Sequence, residues 1–134
     1  MTSTLDIRLD RYSAPSLGVF RILIGLMFAL HGTAKVFGWP AVNGGAVPVG
    51  EWPFWWAGVI EVVVGLLLVT GFFARIGALI GLGEMVFAYV TEHLPKGWLP
   101  IENGGELAVL YALAFLLIAF AGVGAFAVRI PSRD

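Results

Sequence analysis

Apolar residues run almost unbroken through four stretches of this chain, at about 16–38, 54–72, 74–92 and 105–125. Each approaches the roughly 20 residues that an α-helix needs to cross a bilayer. The breaks between them are rich in glycine and proline. "GWPAVNGGAVPVGEWPF" separates the first two stretches and reads as a loop folded back on the mouth of a bundle. "TGFFARIG" makes a tight turn in which Gly71 supplies a left-handed helix cap, and "EHLPKGWLPIENGGE" forms the third connection. Residues 1–15 form a polar N-terminal arm, which Pro15 and its short length make an interfacial segment rather than a strand, and residues 129–134 a cytoplasmic tail. Together these predict an all-α fold, an integral membrane four-helix bundle with one domain over 16–128.

Composition agrees. Of 134 residues, 59% are hydrophobic and 13% charged, and mean hydropathy is +0.90. A soluble domain carries about 25% charged residues. A soluble bundle would also show a charged outer stripe on its helices, and these have none. The first stretch is too long, and too weakly marked by small residues at a cleavage site, to be a removable signal peptide. The lipid bilayer is therefore the first partner, and the cell (inner or plasma) membrane the expected location, with several passes.

Positive charge orients the chain. Arg8, Arg11, Arg75, Arg129 and Arg133 fall on one side of two helical hairpins, Lys35 and Lys96 on the other. By the preference of basic residues for the cytoplasm, both N and C termini are expected inside. All five tryptophans (Trp39, Trp52, Trp55, Trp56, Trp98) then lie on the outer side, at headgroup depth. A net charge of −1 without a basic block argues against nucleic acid. With no cysteine there is no disulfide, thiol chemistry or iron–sulfur ligation by this chain.

Small residues give the helices a packing code. Gly77 and Gly81 form a GxxxG pair suited to close backbone approach, while Gly25 and Gly32 share a face, as do Gly58 and Gly65. A faint echo between "RILIGL" and "RIGALIGL" hints at a duplicated hairpin.

The ionisable groups inside the apolar stretches carry the functional question, because charge in hydrocarbon is expensive. At about 1.5 Å of rise per residue, Glu61 lies roughly 10 Å below the outer end of its helix and Glu84 roughly 12 Å. His31 has a similar depth, Lys35 is about 6 Å higher, and Arg21 roughly 15 Å below His31. Arg21, Gly25, Phe28, Gly32 and Lys35 share a sector of about 80°, with His31 about 40° beyond its edge. Gly77, Gly81, Glu84 and Ala88 share another face, and Glu61 shares one with Gly65 and Leu68. These phases let His31, Glu61 and Glu84 converge beneath a lid pair of Lys35 and Glu106, with Glu92, His93 and Asn103 nearby.

Three uses of such a cluster stand open: an ion-paired core that fixes helix register, a small-molecule site such as one for a quinone headgroup, or a proton path. Arg21 could instead snorkel to the inner headgroups. Two histidines without ligand spacing specify no metal site, and no nucleotide loop, nucleophile elbow or haem motif occurs.

The order of these residues resembles the DoxX-like family of small four-span membrane proteins. The resemblance is carried by Arg21-x-x-x-Gly25, His31-Gly32-x-x-Lys35 with Phe37, Glu61-x-x-x-Gly65, Gly71 with Arg75, then Glu106 and Gly122-x-Gly124. It covers nearly the whole chain. Where the family often follows its last Gly-x-Gly with proline and aspartate, this chain reads "GVGAFAVR". The resemblance implies Arg21, Lys35, Glu61 and Glu106 as signature polar positions. It also implies a membrane subunit of a redox complex, like that of thiosulfate:quinone oxidoreductases or of complexes that handle oxidative stress. On that expectation His31, Lys35 and Glu106 bind quinone, Glu61 and Glu84 are the catalytic proton carriers, and Arg21 is a structural polar residue. Quinone is the expected cofactor, with no metal, haem or nucleotide, and a redox protein or further copies of this chain are the expected partners. A transporter or channel for protons or small molecules, and a non-catalytic scaffold, are the competing classes.

Overall fold

A computed structural model describes residues 2–131, and all regular structure among them is helical. Helix α1 (Thr4–Asp10) opens with a capping box, in which Ser3 and Asp6 satisfy each other's backbone and side-chain groups. Those bonds from Ser3 hold the Asp6 carboxyl below the usual carboxylate range. The polar arm is thus helical, and α2 (Ser13–Phe37) already begins at Ser13 rather than at 16. Pro15 is tolerated because it lies in the first turn, where no backbone donor is required.

Helix α3 (Phe54–Thr70) ends at Gly71, whose φ of 79° permits the left-handed cap. Helix α4 (Ala74–Ala88) continues through a π turn (Tyr89–His93) and a 3₁₀ turn (Leu94–Lys96) as one apolar rod of 23 residues. A short α5 (Pro100–Asn103) leads into α6 (Glu106–Ala121). The α2 and α4 rods are long and apolar enough to cross a membrane. With 17 and 16 residues, α3 and α6 are apolar but shorter, about 25 Å each.

The stretch expected to be helical to 125 stops at Ala121. At Gly122 the backbone takes a φ of 107°, and the chain then runs without regular structure, bending again at Gly124 (φ 69°) and Phe126 (φ 59°). There the Ala125 amide donates to the Ala14 carbonyl and that of Val128 to Thr70. Arg129 bonds back to the Gly124 carbonyl, while Arg133 lies outside the described residues.

The helices pack as two pairs, α2 with α3 and α4 with α6, joined mainly through α3 against α4. Glycine sets the closeness of the first pair. A Cβ on Gly32 would lie 2.6 Å from the Gly58 carbonyl oxygen, and one on Gly65 2.7 Å from that of Gly25. Gly77 and Gly81 act differently from the expected backbone contact. Gly77 seats the Leu67 side chain and Gly81 the ring of Phe115, so the GxxxG pair accepts knobs from its neighbours. Phe28, Val64, Leu68, Phe115 and Ile118 fill the core. Leucine, isoleucine and phenylalanine also cover the outside of every apolar helix, among them Leu23, Leu66, Ile76, Leu79, Leu113 and Leu117. Water would make that belt unfavourable, whereas lipid chains match it.

Candidate functional site

The close α2–α3 contact carries the site's first element. Gly32 and Gly58 let the backbones meet, which stations Lys35 directly over Gly58, one turn before Glu61. Lys35 Nζ donates to Glu61 Oε1 at 2.5 Å, with side-chain exposures of 30% and 4%. Glu61 Oε2 is buried with no partner among the described residues. A carboxylate this deep is tolerable because an ammonium stands beside it.

Glu84 of α4 lies within electrostatic reach of both Glu61 and Lys35, yet both of its oxygens are buried without a hydrogen-bond partner. Opposite, Tyr111 of α6 is 4% exposed and its hydroxyl is likewise unpartnered. Its ring is fixed by Phe28 at 5.2 Å and by Phe115, stacked at 5.9 Å. His31 stands at the wall, edge-on to Tyr111 at 5.7 Å and exposed along its other side. These groups line a cavity of about 290 Å³ between the two helix pairs, whose remaining walls are largely apolar, including Phe54 and Phe87.

The expected lid pair does not form. Lys35 is committed to Glu61, and Glu106, the first residue of α6, is exposed and does not line the cavity. The reason is helical phase: the buried face of α6 runs through Ala108, Tyr111 and Phe115, and Glu106 lies about 200° around the helix from Ala108. There its charge suits the helix N-terminus. Behind the rim, Asn103 is buried. Its amide donates to the Tyr89 hydroxyl (3.0 Å) and the Gly97 carbonyl (2.9 Å) and accepts from the Gly105 N–H (2.8 Å). His93 Nδ1 lies 3.2 Å from the Asn103 carbonyl and faces the same cavity.

Arg21 belongs to the opposite end and does not snorkel. It is 0% exposed, and donates to Leu68 O (2.8 Å), Ala125 O (3.0 Å), Phe126 O (2.7 Å) and Val123 O. Its guanidinium occupies carbonyls that the end of α3 and the irregular segment after α6 leave without backbone partners. Arg75 reaches the Ala119 carbonyl at 3.4 Å in the same manner.

Tyr111 was not among the candidates drawn from sequence. Its signal was present as the sole polar side chain within "LAVLYALAF", where a buried hydroxyl needs a reason. Among the described residues, no group of three or more His, Cys, Asp or Glu side chains stands together to hold a metal ion.

The sequence profile of the DoxX family matches residues 16–94, which cover most of α2 and all of α3 and α4, with Arg21, His31, Lys35, Glu61 and Glu84. An uncharacterized protein of Haemophilus influenzae is 46% identical over 123 residues, 89% of this chain and 92% of that protein. No solved structure matches the chain. With more than half of its length matched by the family profile and an all-helical, lipid-compatible fold, this chain belongs to the DoxX family and is a membrane protein.

Proposed function

We propose that this protein is a four-span, multi-pass protein of the plasma membrane, with both termini cytoplasmic, and the membrane subunit of a quinone-linked redox complex. The observation that carries this reading is the cavity, where an ion pair, an unpartnered acid and an unpartnered phenol meet inside apolar and aromatic walls. Small-molecule sites have this make-up, and roughly 300–1,000 Å³ is their usual size. At about 290 Å³ the cavity suits a single-ring head entering from the lipid.

In that role Lys35 and His31 hydrogen-bond a ring carbonyl, and Tyr111 adds a donor or acceptor from the facing wall. Reducing a quinone to its quinol takes two electrons and two protons. The electrons come from a partner redox protein; without cysteine, the chain has no thiol couple or thiolate-held cluster to supply them. Glu61 or Glu84 hands over protons at the ring oxygens. Among the described residues, no polar side chain continues the cavity toward Arg21. Val64, Leu68 and Phe115 fill the intervening core, which favours a closed-ended binding site over a channel.

Mass spectrometry of whatever co-purifies with the chain from native membranes in mild detergent tests this. A flavin-, iron–sulfur- or thiol-bearing protein and bound quinone are expected, together with a lower quinone-linked rate for Glu61→Gln. Isolation of the chain alone, without quinone, would overturn the redox role.

A further inference from the structure

The end of the bundle away from the cavity gathers positive charge that the quinone role leaves unused. Arg75, in the first turn of α4, and Arg129, in the segment after α6, line one open groove of about 340 Å³. Each guanidinium makes one hydrogen bond to backbone, Arg75 to the Ala119 carbonyl (3.4 Å) and Arg129 to that of Gly124 (3.0 Å). Gly122 makes room for the first, since a Cβ there would lie 2.9 Å from Arg75 Nη2. A guanidinium has five N–H donors, so most of both sets stay open to a ligand. Arg21 adds a third positive charge within electrostatic reach of Arg129. Among the described residues, none of the three forms an ion pair, and no acidic side chain lines the groove. Its other walls are largely apolar, with Phe72, Phe73, Ile76 and Ile130 all exposed.

We propose that this groove binds the phosphate of an anionic glycerophospholipid, such as phosphatidylglycerol, between Arg75 and Arg129. The inference is independent of the quinone role. It needs only that the bundle crosses a bilayer, which sets the end of α3 and the start of α4 at headgroup depth. A phosphodiester accepts from several N–H groups at once, and the planar guanidinium fork matches its oxygens. The start of α4 also has no side-chain cap, so its free N–H groups reinforce the positive field over the groove. Charge then selects among lipids. The ammonium of a zwitterionic headgroup would meet cations and no acid, whereas a headgroup of net charge −1 meets only attraction. Basic pockets between membrane helices hold acidic headgroups by the same means. The apolar surface says why the occupant is a lipid. Ile76, Leu79 and Ile80 are exposed on α4 above the groove and give acyl chains a continuous track, from which a soluble anion gains nothing.

The test is a lipid titration of the full-length, delipidated protein in mild detergent, followed by native mass spectrometry. Dioleoyl-phosphatidylglycerol is expected to bind about tenfold or more tightly than dioleoyl-phosphatidylcholine, which has the same chains. Arg75→Gln and Arg129→Gln should each weaken phosphatidylglycerol about fivefold, the contribution of one basic residue beside an anionic lipid, and leave phosphatidylcholine unchanged. Arg8→Gln removes the same charge from exposed α1 and should alter neither affinity. Should Arg75→Gln fail to fold, Arg129→Gln decides, because Arg129 bonds only to the irregular segment after α6. Equal affinity for the two lipids, or an Arg8→Gln loss as large as that of Arg129→Gln, would overturn the site in favour of general charge attraction. Binding of glycerol 3-phosphate as tight as that of the lipid would overturn it in favour of a soluble anion.

Discussion

The Lys35–Glu61 pair is the residue-level hinge of the site, and its two members are not equivalent. Glu61 is almost wholly buried in α3, whereas Lys35 sits nearer the mouth and keeps part of its surface open. Removing the lysine leaves a carboxylate in apolar surroundings, while removing both charges leaves nothing to compensate. Lys35→Met should therefore destabilise the protein by about 3 kcal/mol, read as thermal or denaturant unfolding in detergent. Adding Glu61→Gln should recover all but about 1 kcal/mol of that loss. If the two losses simply add, the pair makes no energetic contribution in this fold. The residues themselves were legible in the sequence, because charge within apolar runs is rare enough to be noticed. Their pairing was not. Helical phase placed Lys35, Glu61 and Glu84 on inward faces, but choosing between Glu61 and Glu106 as the lysine's partner required knowing how far α2 sinks against α3. Tyr111 escaped because its ring reads as ordinary apolar bulk, and only burial exposes its unpartnered hydroxyl.

At the scale of elements, glycine spacing encodes two kinds of contact that look alike in sequence. Along α2 and α3 the glycines bring backbone to backbone, while in α4 they make room for Leu67 and Phe115. The distinction lies in the neighbour, which periodicity within one helix does not report. A Cβ on Gly32 would meet the Gly58 carbonyl oxygen at 2.6 Å and the Val62 amide nitrogen at 2.7 Å. Neither backbone atom can rotate away, so the helices must part. Gly32→Ala is expected to cost about 1–3 kcal/mol, and to loosen the Lys35–Glu61 contact with it. Gly83 is the matched control, since nothing lies within 4 Å of its added Cβ. Gly83→Ala should be neutral, or stabilising by up to about 1 kcal/mol through helix propensity. Equal losses for the two, measured by the same unfolding assay, would mean that the seam does not hold α2 to α3. The C-terminal element was the least legible. Its apolar residues continue past Ala121, so hydropathy extended the helix to 125. The backbone instead turns at Gly122, where the carbonyls of the following residues meet the buried Arg21.

For the whole molecule, that irregular segment ties the stretch after α6 to the start of α2 and the end of α3. The Ala125 amide bonds to the Ala14 carbonyl near the start of α2, and Val128 to Thr70 at the end of α3. The start of α2 and the segment after α6 therefore lie at one end of the bundle, and the cavity mouth, beside the long 38–53 loop, at the other. The proposed cytoplasmic side rests on arginine placement alone. The absence of native cysteine makes it directly measurable, because any introduced thiol is the only one. Val49 in the loop is 85% exposed, and Leu5 and Ile130 are exposed at the opposite end. A membrane-impermeant maleimide added to intact cells should label Val49→Cys, while Leu5→Cys and Ile130→Cys should react only after permeabilisation. Opposite labelling of the last two would break the even number of crossings and contradict the packing of the C-terminal segment. Full inversion, with Leu5→Cys and Ile130→Cys labelled and Val49→Cys protected, would keep the fold but turn the cavity mouth to the cytoplasm. In the proposed reaction, protons exchanged at Glu61 or Glu84 would then come from the inner rather than the outer face. Orientation thus decides on which side of the membrane the proposed quinone-linked reaction would take up or release its protons, a property that neither the ion pair nor the helix seam can set.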